Sequence, residues 1–185
     1  LYPGDQPVLF HNQGDGTFKD VSHQMGIDKL NGRAMSAVWL DTDQNGWPDL
    51  FVSNDMSPNF LLLNRNGKDF LEVAFPSAVA VGPSGQPLSG MGIACSDFMG
   101  TGGEDLFIVN FSKQPRSFYQ HISGAPFRDS SSLVEGNFSG QPFLAFGVES
   151  LDYDLDGKVD LVIGNGHINE AVDDTSGVTY RERQQ

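Results

Sequence analysis

A loop of nine residues rich in aspartate, followed directly by a short apolar run, occurs twice in the sequence. It spans residues 41–49 and, in the same register, residues 152–160. In both copies, positions one, three, five and nine carry a carboxylate or amide oxygen, and position six is glycine. Glycine can adopt the positive φ of a sharp turn around an ion. Oxygen ligands without Cys or His are typical of Ca²⁺ sites and not of zinc or copper sites.

The sequence therefore predicts two Ca²⁺ sites, each with four side-chain ligands and one backbone carbonyl at position seven. An aspartate-rich turn also forms without metal, because Asp and Asn favour turns on their own. Two copies in register favour Ca²⁺. The predicted ligands are Asp41, Asp43, Asn45, Asp49 and the Trp47 carbonyl in the first loop, and Asp152, Asp154, Asp156, Asp160 and the Lys158 carbonyl in the second.

The EF-hand shares this spacing, but the sequence excludes it. An EF-hand loop needs a bidentate Glu at position twelve and a helix on each side. Position twelve is Val52 in the first loop and Ile163 in the second. The runs that follow each loop are apolar and rich in β-branched or aromatic residues, which is typical of buried strands.

A third copy of the loop, residues 97–105, lies midway between the other two and departs from the pattern. Position three is Met99 and position five is Thr101, so two charged or amide ligands are lost. Because Ca²⁺ affinity depends on the number of charged ligands, we expect this loop to be empty or to bind weakly. Its remaining candidate ligands are Asp97, Thr101, the Gly103 carbonyl and Asp105.

The three loops recur at nearly equal intervals, and hairpins precede or separate them, with turns containing Asp15-Gly16, Asn66-Gly67 and Ser-Gly-Ala-Pro at 123–126. Such turns are typical of β-hairpins. The sequence thus predicts an all-β fold, a segment of a β-propeller with four-stranded antiparallel blades and metal loops between the first and second strands. The predicted parts are a half blade with strands three and four (1–33), two blades (34–75 and 88–131), a half blade with strands one and two (143–166) and a polar connector (167–185). We expect the half blades to be completed by further blades of a longer chain or by a partner chain.

The loop pattern and the segment Leu-Phe-x-Asn-x-Gly-Asp-Gly-Thr-Phe at residues 9–18 resemble FG-GAP/VCBS repeats, including those of integrin α-subunits. Gly-Trp-Pro-Asp-Leu at 46–50 and Asn-Gly-His at 165–167 are similar to the subgroup related to cartilage acidic protein, in which such repeats precede an ASPIC/UnbV domain. The resemblance implies a Ca²⁺-stabilised propeller that is extracellular, at the cell surface or periplasmic. It also implies a non-catalytic role in adhesion or in binding a protein or glycan.

Composition limits the alternatives. A net charge of −13 argues against nucleic-acid binding, which needs a basic face. No apolar run approaches the length of a membrane span. Two other functions stay open: a purely structural scaffold, and the propeller part of a carbohydrate-active enzyme whose catalytic residues lie outside this chain. An enzyme would need a nucleophile and base near the propeller centre, and the sequence offers none outside the metal loops.

Overall fold

A computed structural model describes residues 3–138 and 143–168, so most of the predicted connector at 167–185 lies outside the described residues. Twelve strands occupy the described chain, and the predicted all-β class is confirmed. The helical segments are short: α1 (Ser22–Met25), a 3-10 turn (Ile27–Lys29) and α2 (Ser131–Phe138). No helix in these ranges is long and apolar enough to cross a membrane. The strands are β1 (Phe10–Asn12), β2 (Phe18–Asp20), β3 (Ala34–Leu40), β4 (Asp49–Asn54), β5 (Phe60–Asn64), β6 (Phe70–Glu72), β7 (Gly90–Ser96), β8 (Asp105–Asn110), β9 (Ser117–Gln120), β10 (Arg128–Asp129), β11 (Ala145–Leu151) and β12 (Asp160–Asn165).

The strands form four antiparallel sheets, each with neighbouring strands in chain order. Strands β3–β6 make one four-stranded sheet, the first sheet, and β7–β10 make another, the second sheet. Strands β1–β2 and β11–β12 form two-stranded sheets, the first hairpin and the last hairpin. The predicted four-stranded antiparallel units are therefore present as meanders.

The turn between β5 and β6 shows how local chemistry sets the register. Asn66 and Gly67 both have positive φ, 59° and 72°. Two such residues in succession match the twist of the flanking strands in a tight hairpin, and Asn-Gly is the preferred pair. The Arg65 N–H donates to the Asp69 carbonyl at 2.9 Å, and Asn64 pairs with Phe70 at the end of the ladder.

Two hydrophobic cores hold the layers together, and the second sheet lies between them. Its strand β8 is buried along its whole length. Leu106 and Ile108 pack with residues of the first sheet, whereas Phe107 and Val109 pack with residues of the last hairpin. Side chains alternate across a strand, so β8 supplies both cores. Burying each large apolar side chain contributes roughly 1.5–3 kcal/mol.

The inner strands β3, β7 and β11 lie side by side, which brings the three metal-type loops to successive sheets. Close approach there requires small residues. A Cβ on Gly92 of β7 would lie 2.5 Å from the Phe146 carbonyl oxygen of β11, too close for any side chain. Gly92 therefore allows the close approach of the inner strands β7 and β11.

Candidate metal centre

The three repeated loops occupy equivalent places in the fold. Each joins the inner strand of a sheet to its second strand: 41–49 joins β3 to β4, 97–105 joins β7 to β8, and 152–160 joins β11 to β12. Hydrogen bonds within the loops show which positions build the turn and which remain to hold an ion.

The aspartate at position one organises the turn in every loop. Its two carboxylate oxygens accept hydrogen bonds from the backbone N–H groups of positions five and six. In the 97–105 loop these bonds lower the pKa of Asp97, because they stabilise the carboxylate. The bonds are Asn45 and Gly46 to Asp41 (3.0 and 2.9 Å), Thr101 and Gly102 to Asp97 (both 2.8 Å), and Asp156 and Gly157 to Asp152 (3.0 and 2.9 Å).

Positive φ occurs at position six, as the sequence predicts, and also at position four. Gly46, Gly102 and Gly157 at position six have φ of 85°, 84° and 86°. Position four also lies in the left-handed region, with φ of 54° at Gln44 and 62° at Leu155. Non-glycine residues adopt this region at a cost in free energy. The 41–49 and 152–160 loops therefore hold some backbone strain that the sequence pattern did not reveal.

The aspartate at position nine is buried in the first and second sheets. Asp49 accepts hydrogen bonds from the Thr42 N–H (2.9 Å) and from the Asn64 N–H on β5 (2.7 Å). Asp105 does the same with the N–H groups of Met99 (3.2 Å) and His121 (2.8 Å). Burial raises the pKa of both carboxyls, and these hydrogen bonds oppose the effect. Position nine thus ties each loop to the end of the third strand.

The first loop brings three of its predicted ligands together. One carboxylate oxygen each from Asp41, Asp43 and Asp49 lies within 4.8 Å of the others. Among the described residues, no lysine or arginine forms an ion pair with these three groups. Asn45 lies beside them, and its side-chain amide donates to Asp43 (2.9 Å) while its oxygen accepts the Trp47 N–H (2.8 Å). Converging, uncompensated oxygen donors fit a hard divalent cation such as Ca²⁺.

The second loop also forms a cluster, with one difference in charge. Carboxylate oxygens of Asp152, Asp154 and Asp156 lie within the same 4.8 Å limit. The Lys158 ammonium contacts Asp156 at 2.6 Å, and this bond lowers the pKa of the Asp156 carboxyl. Asp160 is not one of the three clustered carboxylates and accepts the Tyr153 N–H at 3.1 Å. The donor set therefore fits a divalent cation. In this structure the Lys158 ammonium offsets part of the negative charge of the three carboxylates.

The 97–105 loop keeps the turn but loses the cluster. In the described part of the chain, no group of three carboxylates forms there, and Met99 at position three is half exposed. Glu104 extends to the neighbouring loop and accepts the Asp41 N–H at 3.1 Å. The sequence did not predict the contact of His121 with the 41–49 loop, because it depends on how two sheets pack and leaves no local sequence signal.

Comparison with known proteins agrees with this architecture. Residues 2–52 match the model of the FG-GAP-like repeat family. The matched residues include the first hairpin, strand β3 and the whole 41–49 loop, so the match spans parts of two successive sheets. The resemblance predicted from the sequence is confirmed.

The chain is also similar to cartilage acidic protein 1 of several vertebrates. It is 26% identical to the Xenopus tropicalis protein over 164 residues, and 24% identical to the Mus musculus and Homo sapiens proteins over 165 residues. These alignments cover 85% of this chain. The chain spans about a quarter of the length of these curated relatives, 25% of the Xenopus protein for example.

Proposed function

We propose that this chain is a Ca²⁺-binding propeller module with two ions, one in each of the loops 41–49 and 152–160. The observation that supports this most directly is the convergence of three carboxylates in each of these loops. Like charges so close together repel one another, and a bound cation removes the repulsion. The Trp47 and Lys158 carbonyls, with Asn45, Asp49 and Asp160, would complete the two ligand sets.

The ions would stabilise the blades and take no part in chemistry. Each metal loop connects the two innermost strands of its sheet, so an ion there fixes the position at which the second strand begins. Calcium bound at such a site raises the free energy of unfolding, because the unfolded loop binds the ion poorly.

Isothermal titration calorimetry of the full-length protein with Ca²⁺ tests the proposal. Two ions per copy of this chain are expected, and Asp43→Ala and Asp154→Ala should each remove one. Asp15→Ala is the matched control, since Asp15 is an exposed turn aspartate that bonds only Thr17 in the described residues. Full binding by both Asp43→Ala and Asp154→Ala, or no binding by the unaltered protein, would contradict the assignment.

We further propose that the module lies outside the cytoplasm and binds another protein. Large aromatic side chains are exposed on the first hairpin and on β3: Phe10 (58%), Phe18 (62%) and Trp39 (48%). Exposed aromatic side chains support contact with other polypeptide over a purely structural role. A pull-down with the full-length protein, with Ca²⁺ and with chelator, tests this. A partner recovered equally in both, or recovered equally by Asp43→Ala, would count against a Ca²⁺-dependent interaction.

The first and last hairpins are, in this proposal, halves of propeller blades at 1–33 and 143–166, and the two sheets at 34–75 and 88–131 are whole blades. The strands of the last hairpin have seven and six residues, the same lengths as the first two strands of each complete sheet, and β1–β2 are short like the fourth strands. An experimental structure of the full-length protein should show further strands paired to β1 and β12. Pairing of β1–β2 with β11–β12 in a closed ring would refute this.

A further inference from the structure

Three hydrogen bonds join the 41–49 loop to the second sheet. The Glu104 carboxylate accepts the Asp41 N–H at 3.1 Å, and the Gln44 side-chain amide donates to the Gly102 carbonyl at 3.0 Å. The third links His121 Nε2 to the Thr42 carbonyl at 2.9 Å. A carbonyl can only accept, so His121 carries a proton on Nε2 and donates. All three bonds come from the 97–105 loop or from the end of the third strand beside it.

The His121 ring is held firmly in place by its own sheet. Its side chain is buried, and its backbone N–H donates to Asp105 at 2.8 Å. Its ring packs edge-on against Phe127, with centroids 5.7 Å apart. On the other side lies Gly103, where an added Cβ would be 1.9 Å from His121 Nδ1. Only glycine at position 103 leaves room for the ring, so the imidazole is a rigid group aimed at Thr42.

The three hydrogen bonds contact residues of the first loop that lie next to its predicted ligands. Thr42 lies between Asp41 and Asp43, and Gln44 directly follows them. In the described part of the chain, the side-chain hydrogen bonds of the 152–160 loop connect only residues of that loop. Among the described residues, the 41–49 and 152–160 loops therefore have similar internal structure, and the second sheet supports only the 41–49 loop.

We propose that Glu104, Gly103 and His121 form an inter-sheet brace that positions the 41–49 loop for its cation. The 97–105 loop then serves the neighbouring site as a support. The brace raises the cation affinity of the 41–49 loop by fixing the backbone of residues 41–44 before the ion arrives, which lowers the ordering cost of binding. This inference rests on the proposed Ca²⁺ function, and Gly103, His121 and Glu104 are positioning residues.

The two loops carry their own optical reporters. Trp47 belongs to the first loop and Tyr153 to the second, so Tb³⁺ used in place of Ca²⁺ would be sensitised by an indole in one and a phenol in the other. Selective excitation of tryptophan reports the first loop, and Ca²⁺ competition then gives a separate affinity for each. The 152–160 loop serves as an internal control within the same molecule.

His121→Ala in the full-length protein should weaken Ca²⁺ binding at the 41–49 loop about tenfold, the effect expected from losing one buried hydrogen bond. Affinity at the 152–160 loop should not change. His121→Gln, which keeps an N–H donor, should recover part of the loss. Gly103→Ala should match His121→Ala, because it displaces the ring. Glu104→Gln keeps an acceptor for Asp41 and should have a smaller effect than Glu104→Ala.

Misfolding of His121→Ala would not obscure the result, because Glu104→Ala and Gln44→Ala alter only exposed contacts and test the same brace. Unchanged affinity at the 41–49 loop in these variants would overturn the brace, as would an equal loss at both loops. Absence of Tb³⁺ and Ca²⁺ binding in the unaltered protein would overturn the proposed function and the brace together. Normal binding in the unaltered protein with unaffected variants would overturn the brace alone.

Discussion

The 41–49 and 97–105 loops have the same backbone framework but differ in the side chains that could bind an ion. In both, the aspartate at position one accepts two backbone N–H groups, and a buried aspartate at position nine fastens the loop to the third strand. Only the first loop adds carboxylate or amide groups at positions three and five. The motif thus has two parts: positions one, six and nine build the turn, and positions three and five supply further oxygen ligands for a cation. A sequence can lose the second part and keep the first.

Removal of Ca²⁺ by a chelator should give the largest effect, and this effect should depend on the ion-binding positions and not on the turn-building ones. Removing Ca²⁺ should lower the free energy of unfolding by about 2.7 kcal/mol for each site held at a hundred times its Kd. Asp43→Ala and Asp154→Ala, at position three, should each remove one share of this effect. Met99→Ala, at position three of the 97–105 loop, should leave it intact. Thermal melts with Ca²⁺ and with EDTA give the measurement, and an unchanged melting temperature of the metal-loaded protein on adding EDTA would reject ion-dependent stability.

Loss of the framework part should destabilise the fold with or without Ca²⁺. Asp105→Ala removes the acceptor for the N–H groups of Met99 and His121 and leaves them buried or partly buried. We expect a loss of about 2–4 kcal/mol in the free energy of unfolding, equal in Ca²⁺ and in EDTA.

Asp15→Ala controls for removal of an exposed turn aspartate and should cost much less. Denaturant titration with unchanged m-values measures both. A loss for Asp105→Ala that appears only with Ca²⁺ would show that this residue acts through an ion.

Restoring the second part should convert the 97–105 loop into a metal loop. Met99→Asp combined with Thr101→Asn supplies oxygens at positions three and five on a turn that already has the correct φ at Gly102. We expect one additional Ca²⁺ per chain by calorimetry and a gain of about 1–3 kcal/mol in Ca²⁺.

In EDTA the carboxylate added at position three should repel Asp97. This repulsion should lower the free energy of unfolding by less than about 1 kcal/mol. Met99→Asn with Thr101→Val is the control, since it changes the same positions without adding a charge. An unaltered Ca²⁺ stoichiometry in the double variant would show that Glu104 and His121, directed to the first loop, leave no room for an ion.

The order of strands, the hairpin turns and the loops were predictable because their determinants are local. Asn66-Gly67 fixes its own turn, and the continuous apolar run Leu106–Val109 predicts a strand buried on both faces. The destinations of Glu104 and His121 were not predictable, since they depend on the packing of one sheet on the next. Burial of Asp49 and Asp105 was also hidden: an acidic residue in a turn reads as exposed, and here it accepts two backbone N–H groups instead.

Position four offers the finest test of the comparison, because the 97–105 loop has glycine there and the 152–160 loop has leucine. Leu155 is 87% exposed and has φ of 62°, whereas Gly100 has φ of 66° in the same place. A leucine in the left-handed region is strained by roughly 1 kcal/mol, and its exposed side chain gains nothing from packing. Leu155→Gly should therefore raise the free energy of unfolding by about 0.5 kcal/mol, after the added chain entropy of glycine is subtracted. Gly100→Leu should lower it by a similar amount. Ca²⁺ affinity should stay constant in both variants, since the backbone geometry does not change; a loss of stability in Leu155→Gly would show that the leucine makes a contact the strain argument omits.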